Sequence, residues 1–327
     1  MKKKKQQQWT NGSVAIGLAD DTVKVNYTEF REMLKAPVVT IHHLSKFFKR
    51  SDMDFDEHGN VFVGFNEDAQ GLPILVAHTD NVLNGEREPV FDLNRRCIMG
   101  RNVGIGFDDK AGIMAIISLW QHFKEQRFRA IFPADEEVGG VGSQAMDPTW
   151  YTDAAWILEL DRKGNKDLIQ TSGGTRLCSD EFASKLEALG FEKADGIFTD
   201  VNQFKPNAEW INMANISIGY YNAHTNNEYL DTVDFEKIVN KVAKFIEGNY
   251  DFADDVPDAK PKWSESDRFY SGGGSYSGSG WSNHCMNCGE VCSAGSMIYN
   301  QYGERFCCRE CLEQYDQDDW KESYKRS

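Results

Sequence analysis

No apolar run in this sequence approaches the roughly 20 residues that cross a bilayer, so no membrane-spanning helix and no membrane partner is expected. The opening Lys2-Lys3-Lys4-Lys5 is followed by Gln6-Gln7-Gln8 and not by an apolar stretch; it reads as a solvated tail, not a secretory leader. Basic charge is also short: 36 Lys and Arg stand against 51 Asp and Glu, a net of −15. Polyanion binding needs clustered cations to neutralise phosphates, so nucleic acid is not an expected partner. Cysteine is sparse over most of the chain, with Cys97 and Cys178 isolated and the other six crowded between Cys285 and Cys311. That distribution excludes a disulfide framework spread over a domain and fits a reducing, cytoplasmic setting. No internal repeat is present.

What the chain does have is core-forming material: 40% of its 327 residues are apolar and 12% aromatic, enough for a catalytic domain and a small appendage. From Tyr27 to Arg50, Phe30, Leu34, Val38, Ile41, Leu44 and Phe47 recur at helical spacing, and Pro37 should kink or split the helix. Helices are also predicted over Ala111 to Phe123, Phe182 to Leu189 and Phe235 to Ile246. Between them lie short apolar runs bounded by polar turns: Val61-Phe62-Val63, Ile74-Leu75-Val76-Ala77, Ile131-Phe132, Trp156-Ile157-Leu158 and Ile216-Ser217-Ile218. Such runs read as buried strands of an α/β fold, a doubly wound and mostly parallel sheet with helices on both faces. The boundaries expected are a tail and lead-in over 1–26, a catalytic domain over 27–250, a flexible Gly- and Ser-rich linker over 251–283 and a cysteine module over 284–327.

Candidate ligands follow the apolar runs: His78 and Asp80, Glu136 and Glu137, Asp161, and His224, with Asp108 and Asp109 at the amino end of a helix. In open α/β sheets ligands bind beyond the carboxyl ends of the strands, so these positions should converge on one rim. His78 and His224 offer imidazole nitrogen, while Asp108, Glu137 and Asp161 offer carboxylate oxygen; this mixed set suits zinc, and manganese or cobalt is compatible. A shared carboxylate holds two ions together, and Asp108 is the natural bridge. Glu136, beside Glu137 but directed elsewhere, is the candidate general base, taking a proton from the attacking water and handing it to the leaving amine. Asp80 stands two residues after His78, where it can accept the other ring N–H and fix the tautomer. Each motif alone has a bland reading as a helix cap, a solvated turn or a surface pair; their conjunction at strand ends does not.

The segments His78-Thr79-Asp80-Asn81-Val82, Gly106-Phe107-Asp108-Asp109-Lys110-Ala111-Gly112-Ile113, Asp135-Glu136-Glu137-Val138-Gly139 and His224-Thr225-Asn226-Asn227-Glu228-Tyr229-Leu230 resemble the co-catalytic di-zinc exopeptidases. That clan includes aminotripeptidase (peptidase T), bacterial zinc aminopeptidases and glutamate carboxypeptidase. The resemblance runs from about Tyr27 to Asn249. It implies one zinc on His78, Asp108 and Asp161, a second on Asp108, Glu137 and His224, Glu136 as the base, and a cis peptide between Asp108 and Asp109. Aspartate at the Asp161 position accompanies aminopeptidases in this clan, which implies small peptides as substrates. Only 62 residues separate Asp161 from His224, too few for the inserted lid and dimerisation domain of the peptidase T branch. Substrate contacts must then come from elsewhere, and the Thr199 to Phe204 segment is one candidate lining.

Cys285-x2-Cys288 and Cys308-x2-Cys311, nineteen residues apart, match the spacing of a structural four-thiolate zinc site. A hairpin is predicted over Met297 to Phe306, and the order looks like a treble-clef or zinc-ribbon module that needs its metal to fold. Cys292 and Cys307 are spare, and Cys307 can replace Cys308. From His284 onwards five Lys and Arg face eight Asp and Glu, a balance that favours a protein partner or a stabilising cap over nucleic acid. The sequence therefore predicts a two-metal aminopeptidase with one further structural zinc. An N-acyl amino acid deacylase or carboxypeptidase of the same clan is the alternative within enzymes. An inactive metal-binding adaptor recruiting a partner through the cysteine module is the alternative of another class.

Overall fold

Short continuous apolar runs build the centre of a sheet whose two faces are both buried. The structure, a computed structural model, describes residues 22–257 apart from Asn84, Leu93, Ala253, Asp254 and Val256, together with Ile298–Tyr299 and Arg305–Phe306. The chain divides into two units, Met1–Pro261 and Lys262–Ser327. In the second unit Ile298–Tyr299 pairs antiparallel with Arg305–Phe306, inside the span predicted to form a hairpin. Cys285, Cys288, Cys308 and Cys311, the alternative Cys307, the Gly- and Ser-rich stretch and the tail over 1–21 lie outside the described residues.

In chain order the first unit contains α1 (Arg31–Lys35), α2 (Ile41–Leu44), β1 (Met53–Phe55), β2 (Val61–Val63), β3 (Ile74–Val76), β4 (Pro89–Asp92), β5 (Cys97–Gly100), α3 (Phe107–His122), β6 (Arg129–Phe132), α4 (Val141–Ala145), β7 (Ile157–Arg162), β8 (Asp167–Ser172), β9 (Thr175–Arg176), α5 (Asp180–Glu187), β10 (Glu192–Gly196), α6 (Asp200–Phe204), β11 (Met213–Ser217), β12 (Tyr220–Tyr221), β13 (Tyr229–Asp231) and α7 (Thr232–Glu247). The main sheet runs β1-β2-β6-β3-β7-β11-β8-β10, with β9 paired to β8. Its centre, β6-β3-β7-β11, is parallel. The flanks are less regular than a doubly wound sheet predicts, because β1, β2, β8 and β9 add antiparallel pairings. A second sheet, β12-β13-β5-β4, is antiparallel throughout.

Strand side chains alternate between two cores. Leu75, Ala130, Phe132, Leu158 and Ile216 enter the core shared with α3, α5 and α7. Ile74, Val76, Ile131, Ile157 and Met213 enter the core shared with α6. Every residue of α3 from Phe107 to Leu119 is buried, the charged Asp108, Asp109 and Lys110 of its first turn included, and from Ala111 to Leu119 only Ser118 is polar. Regular helix begins only beyond Asp109, since Asp108 and Asp109 have non-helical backbone angles, and α3 thus continues into the predicted Ala111 to Phe123 span. The Tyr27 to Arg50 region shortens to α1 and α2, because Ala36 before Pro37 is extended, as steric conflict with the proline ring demands.

Candidate metal centre

The four central strands are parallel, so their carboxyl ends lie along one edge. His78 stands two residues beyond β3, and Glu136 and Glu137 occupy the turn after β6. Asp161 differs from expectation in lying within β7, one residue from its end. His224 also differs: it is not at the end of a main-sheet strand but in the loop between β12 and β13, with φ of 62°. Asp108 enters from the amino end of α3 behind Gly106, whose φ of +75° and close approach to Asn81 leave no room for a side chain. The Asp108–Asp109 peptide is cis.

These elements bring the five candidate ligands together. His78 Nε2 lies 3.1 Å from Asp108 Oδ1 and 3.5 Å from Asp161 Oδ1. On the other side of the same aspartate, His224 Nε2 lies 2.9 Å from Asp108 Oδ2 and 3.1 Å from Glu137 Oε1. The donor atoms of His78–Asp108–Asp161 and of Asp108–Glu137–His224 each lie within 4.8 Å of one another, as do those of His78–Glu136–Glu137. His78 is fully buried while the His224 side chain is 47% exposed, so the cluster opens to solvent on the His224 side.

Two observations test whether a divalent cation fits here. Glu137 Oε1 and Asp161 Oδ1 are buried and receive no well-directed hydrogen bond; an imidazole nitrogen faces each, at 3.1 and 3.5 Å, so their charge is met only if those rings are protonated or a cation is bound. Protonation tells the same story. Opposing Asp108 and Glu137 hold the His224 ring up to about 10. Burial alone would lower His78, but Asp108, Asp161 and Asp80 outweigh it and raise its proton affinity well above the usual imidazole. Burial, reinforced by the charges of Asp108 and Asp109, lifts Asp161 well above the carboxylate range. Asp108 moves down, because the two imidazoles overcome its burial. The cluster thus holds protons where its donor set is suited to bind cations, which deprotonated imidazoles and carboxylates would ligate. Glu136 is pushed up to about 8 by burial and by Glu159, Glu137 and Asp108, against the opposing pull of His78.

Around this cluster a set of buried side chains locks the backbone. Asp80 lies 3.2 Å from His78 Nδ1 and also accepts the backbone N–H groups of Glu136 and Glu137, at 3.0 and 3.1 Å. One carboxylate thereby fixes both the ring of His78 and the position of the Glu136–Glu137 turn. Glu228 accepts from Gly106 N at 2.6 Å and Asp108 N at 3.2 Å, holding the turn that presents Asp108. Lys110 Nζ donates to the carbonyls of Leu34, Ala36 and Ile105. Glu159 accepts from the Thr199 hydroxyl and from the amides of Asp200 and Val201, and Asn215 Oδ1 accepts from Asp161 N. Glu159 and Asn215 were not singled out from sequence, although a charged residue inside the Trp156 to Leu160 apolar run was a visible signal for the first. In the Thr199 to Phe204 segment, Asp200, Val201 and Phe204 are buried in α6 or at its start, so they back the site instead of lining an open pocket.

The fold is that of a group of aminopeptidases. It is similar to aminopeptidase PepT from Bacillus cereus, 14% identical with a TM-score of 0.58, covering 68% of this chain and 98% of that one. It is similar also to a tripeptidase from Staphylococcus aureus, 13% identical with a TM-score of 0.55 over 68% of this chain and 98% of that one. A TET aminopeptidase from a marine sediment archaeon of the Thaumarchaeota, 12% identical, has a TM-score of 0.55 over 67% and 96%. No family model matches the sequence, and no curated protein matches it. Among the described residues no helix is long and apolar enough to cross a membrane.

Proposed function

We propose that this chain is a metal-dependent hydrolase of small peptides, acting as an aminopeptidase through a two-metal centre. The observation that carries the reading is the pair of donor triads sharing Asp108, in which the buried oxygens of Glu137 and Asp161 face imidazole nitrogens without a well-directed hydrogen bond. His78, Asp108 and Asp161 would hold one cation and Asp108, Glu137 and His224 the other, zinc by donor type, with manganese or cobalt compatible. Bound there, the cations supply Lewis-acid polarisation of the scissile carbonyl and make the attacking water more acidic. Glu136 takes that water's proton and delivers it to the leaving amine. Asp80 holds His78 in the tautomer that turns Nε2 towards Asp108, and it keeps Glu136 in register with the cluster. Glu228 keeps Asp108 between the two imidazoles.

The fold similarity to aminopeptidases supports peptides as the substrate class. The clustered cysteines of the 284–327 module, with their two-residue spacings, support one further structural zinc and a contact with a protein partner. Thiols kept as metal ligands suit a reducing cytoplasm, and 27–250 would be the catalytic domain tethered by 251–283. The fully loaded chain should therefore carry about three ions. Screening zinc-loaded protein against amino acid amides, di- and tripeptides and N-acyl amino acids tests the reading. Hydrolysis of free-amine substrates, abolished by a chelator and restored by added zinc, is expected. Turnover confined to N-acyl amino acids would replace it with a deacylase, and no turnover at all would leave a binding protein.

A further inference from the structure

Large apolar side chains are seldom exposed on the described surface, yet four of them gather beside the candidate centre. Val138 directly follows Glu137, Val141 opens α4, and Ile197 and Phe198 stand in the loop before α6; they are 39–79% exposed. Helices α4 and α6 pack together, which brings the loop before α6 up to the turn before α4. Phe198 leans on the turn that carries Glu136 and Glu137: a Cβ at Gly140 would lie 2.8 Å from Phe198 Cζ, and Gly140 has φ of +69°. The amides of Gly139 and Gly140 both donate to Glu136 O, at 2.9 and 2.8 Å, so the apolar wall and the candidate base share one rigid turn. Exposed apolar side chains concentrated beside a candidate centre mark a binding site.

The patch begins at Val138, directly after the Glu136–Glu137 pair. From Val138 to Val141 the chain offers two valines and two glycines, so a ligand group seated there meets hydrocarbon. A further acidic group is disfavoured there, since Glu136 and Glu137 precede Val138 and a Cβ at Gly140 would lie 3.5 Å from Asp200 Oδ1, so carboxyl groups already crowd this turn. We propose that Val138, Val141, Ile197 and Phe198 form the subsite for the side chain of the substrate residue next to the scissile bond, and that this residue is apolar. The assignment rests on the hydrolase reading above. It also explains how a chain without an inserted lid selects its substrates, from two short elements flanking the centre.

The test compares kcat/KM of the zinc-loaded full chain for the amides of leucine, phenylalanine, glycine and glutamate, with the molecular mass followed by light scattering. The wild type should prefer leucine and phenylalanine over glycine by roughly ten-fold or more, within the range that a few methylenes contribute in an apolar pocket, and should disfavour glutamate. Phe198→Ser and Val141→Ser should each lower the leucine-to-glycine ratio, Phe198→Ser by roughly ten-fold. Both side chains are exposed, so the fold should tolerate either change. An unchanged ratio in both variants, or a wild-type preference for glutamate, overturns the subsite. A fall in mass with the ratio intact also overturns it, identifying the patch as a contact between copies of the chain. If the wild type hydrolyses none of these amides nor any peptide, the hydrolase reading itself has failed, which is a different result from turnover without selectivity.

Discussion

Glu136 and Glu137 are neighbours with different surroundings, and the difference separates a candidate base from a candidate ligand. Glu137 Oε1 faces His224 at 3.1 Å and belongs to the triad with Asp108. Glu136 lies outside that triad, is crowded by Glu159 and Glu137, and is raised to about 8 by burial and those charges. Two divalent charges beside it would lower that value towards neutrality, where a base is most effective. Glu136→Gln keeps the shape of the side chain and removes its ability to take a proton. That variant should retain the full metal content while kcat falls at least about 100-fold. Glu137→Gln, by contrast, should lose bound metal. Elemental analysis alongside steady-state kinetics separates the two, and undiminished turnover in Glu136→Gln would remove Glu136 from the proposed role.

Among the elements, α7 shows how local sequence and tertiary packing agree. Phe235, Ile238, Val239, Val242, Phe245 and Ile246 are all buried, and Asp231 Oδ1 caps the helix by accepting from Val233 N at 2.9 Å and Asp234 N at 3.0 Å. Asp231→Ala should cost about 1 kcal/mol of stability and lower Tm by about 2–4 °C, read by circular dichroism, with Asn restoring most of the loss. An unshifted Tm would mean that the cap contributes nothing beyond what water supplies. Helices α3, α5 and α7 were legible from apolar residues at helical spacing, and β3, β6, β7 and β11 because each contains part of a short apolar run, although β11 begins three residues before the Ile216-Ser217-Ile218 run. The region before β1 splits at Pro37 as its sequence predicts, although the two helices are shorter than the Tyr27 to Arg50 spacing suggests. His78, Asp108, Glu137, Asp161 and His224 were legible as a group from their motifs; the parallel strands bring His78, Glu137 and Asp161 to one edge, while α3 supplies Asp108 and the β12–β13 loop supplies His224. Glu228, Glu159 and Asn215 carry no periodic signature, since what marks them is the backbone amides they meet across 41 to 122 residues, a relation only the fold creates.

On the scale of the whole molecule, the candidate centre is a concentration of buried negative charge in a chain that is already strongly acidic. Folding gathers Asp108, Glu137, Asp161 and Glu136 into one edge of the sheet, with two imidazoles as the facing groups. Without cations, that arrangement costs stability, because partly desolvated carboxylates repel one another or must take up protons. Cations that bind the folded chain and not the unfolded one shift the balance by mass action, by about 2.7 kcal/mol at a free concentration 100 times the dissociation constant. For a unit of this size the increment corresponds to a rise in Tm of roughly 5–10 °C. The cysteine module can bind zinc as well, so the rise must be assigned by mutation. His78→Ala removes the buried nitrogen of one triad and leaves every cysteine in place. Calorimetry of the full chain with zinc and with a chelator should show a clear gain for the wild type and a much smaller one for His78→Ala. Equal gains in the two proteins would place all of the zinc-linked stability in the cysteine module, and the centre at the sheet edge would lose its metals.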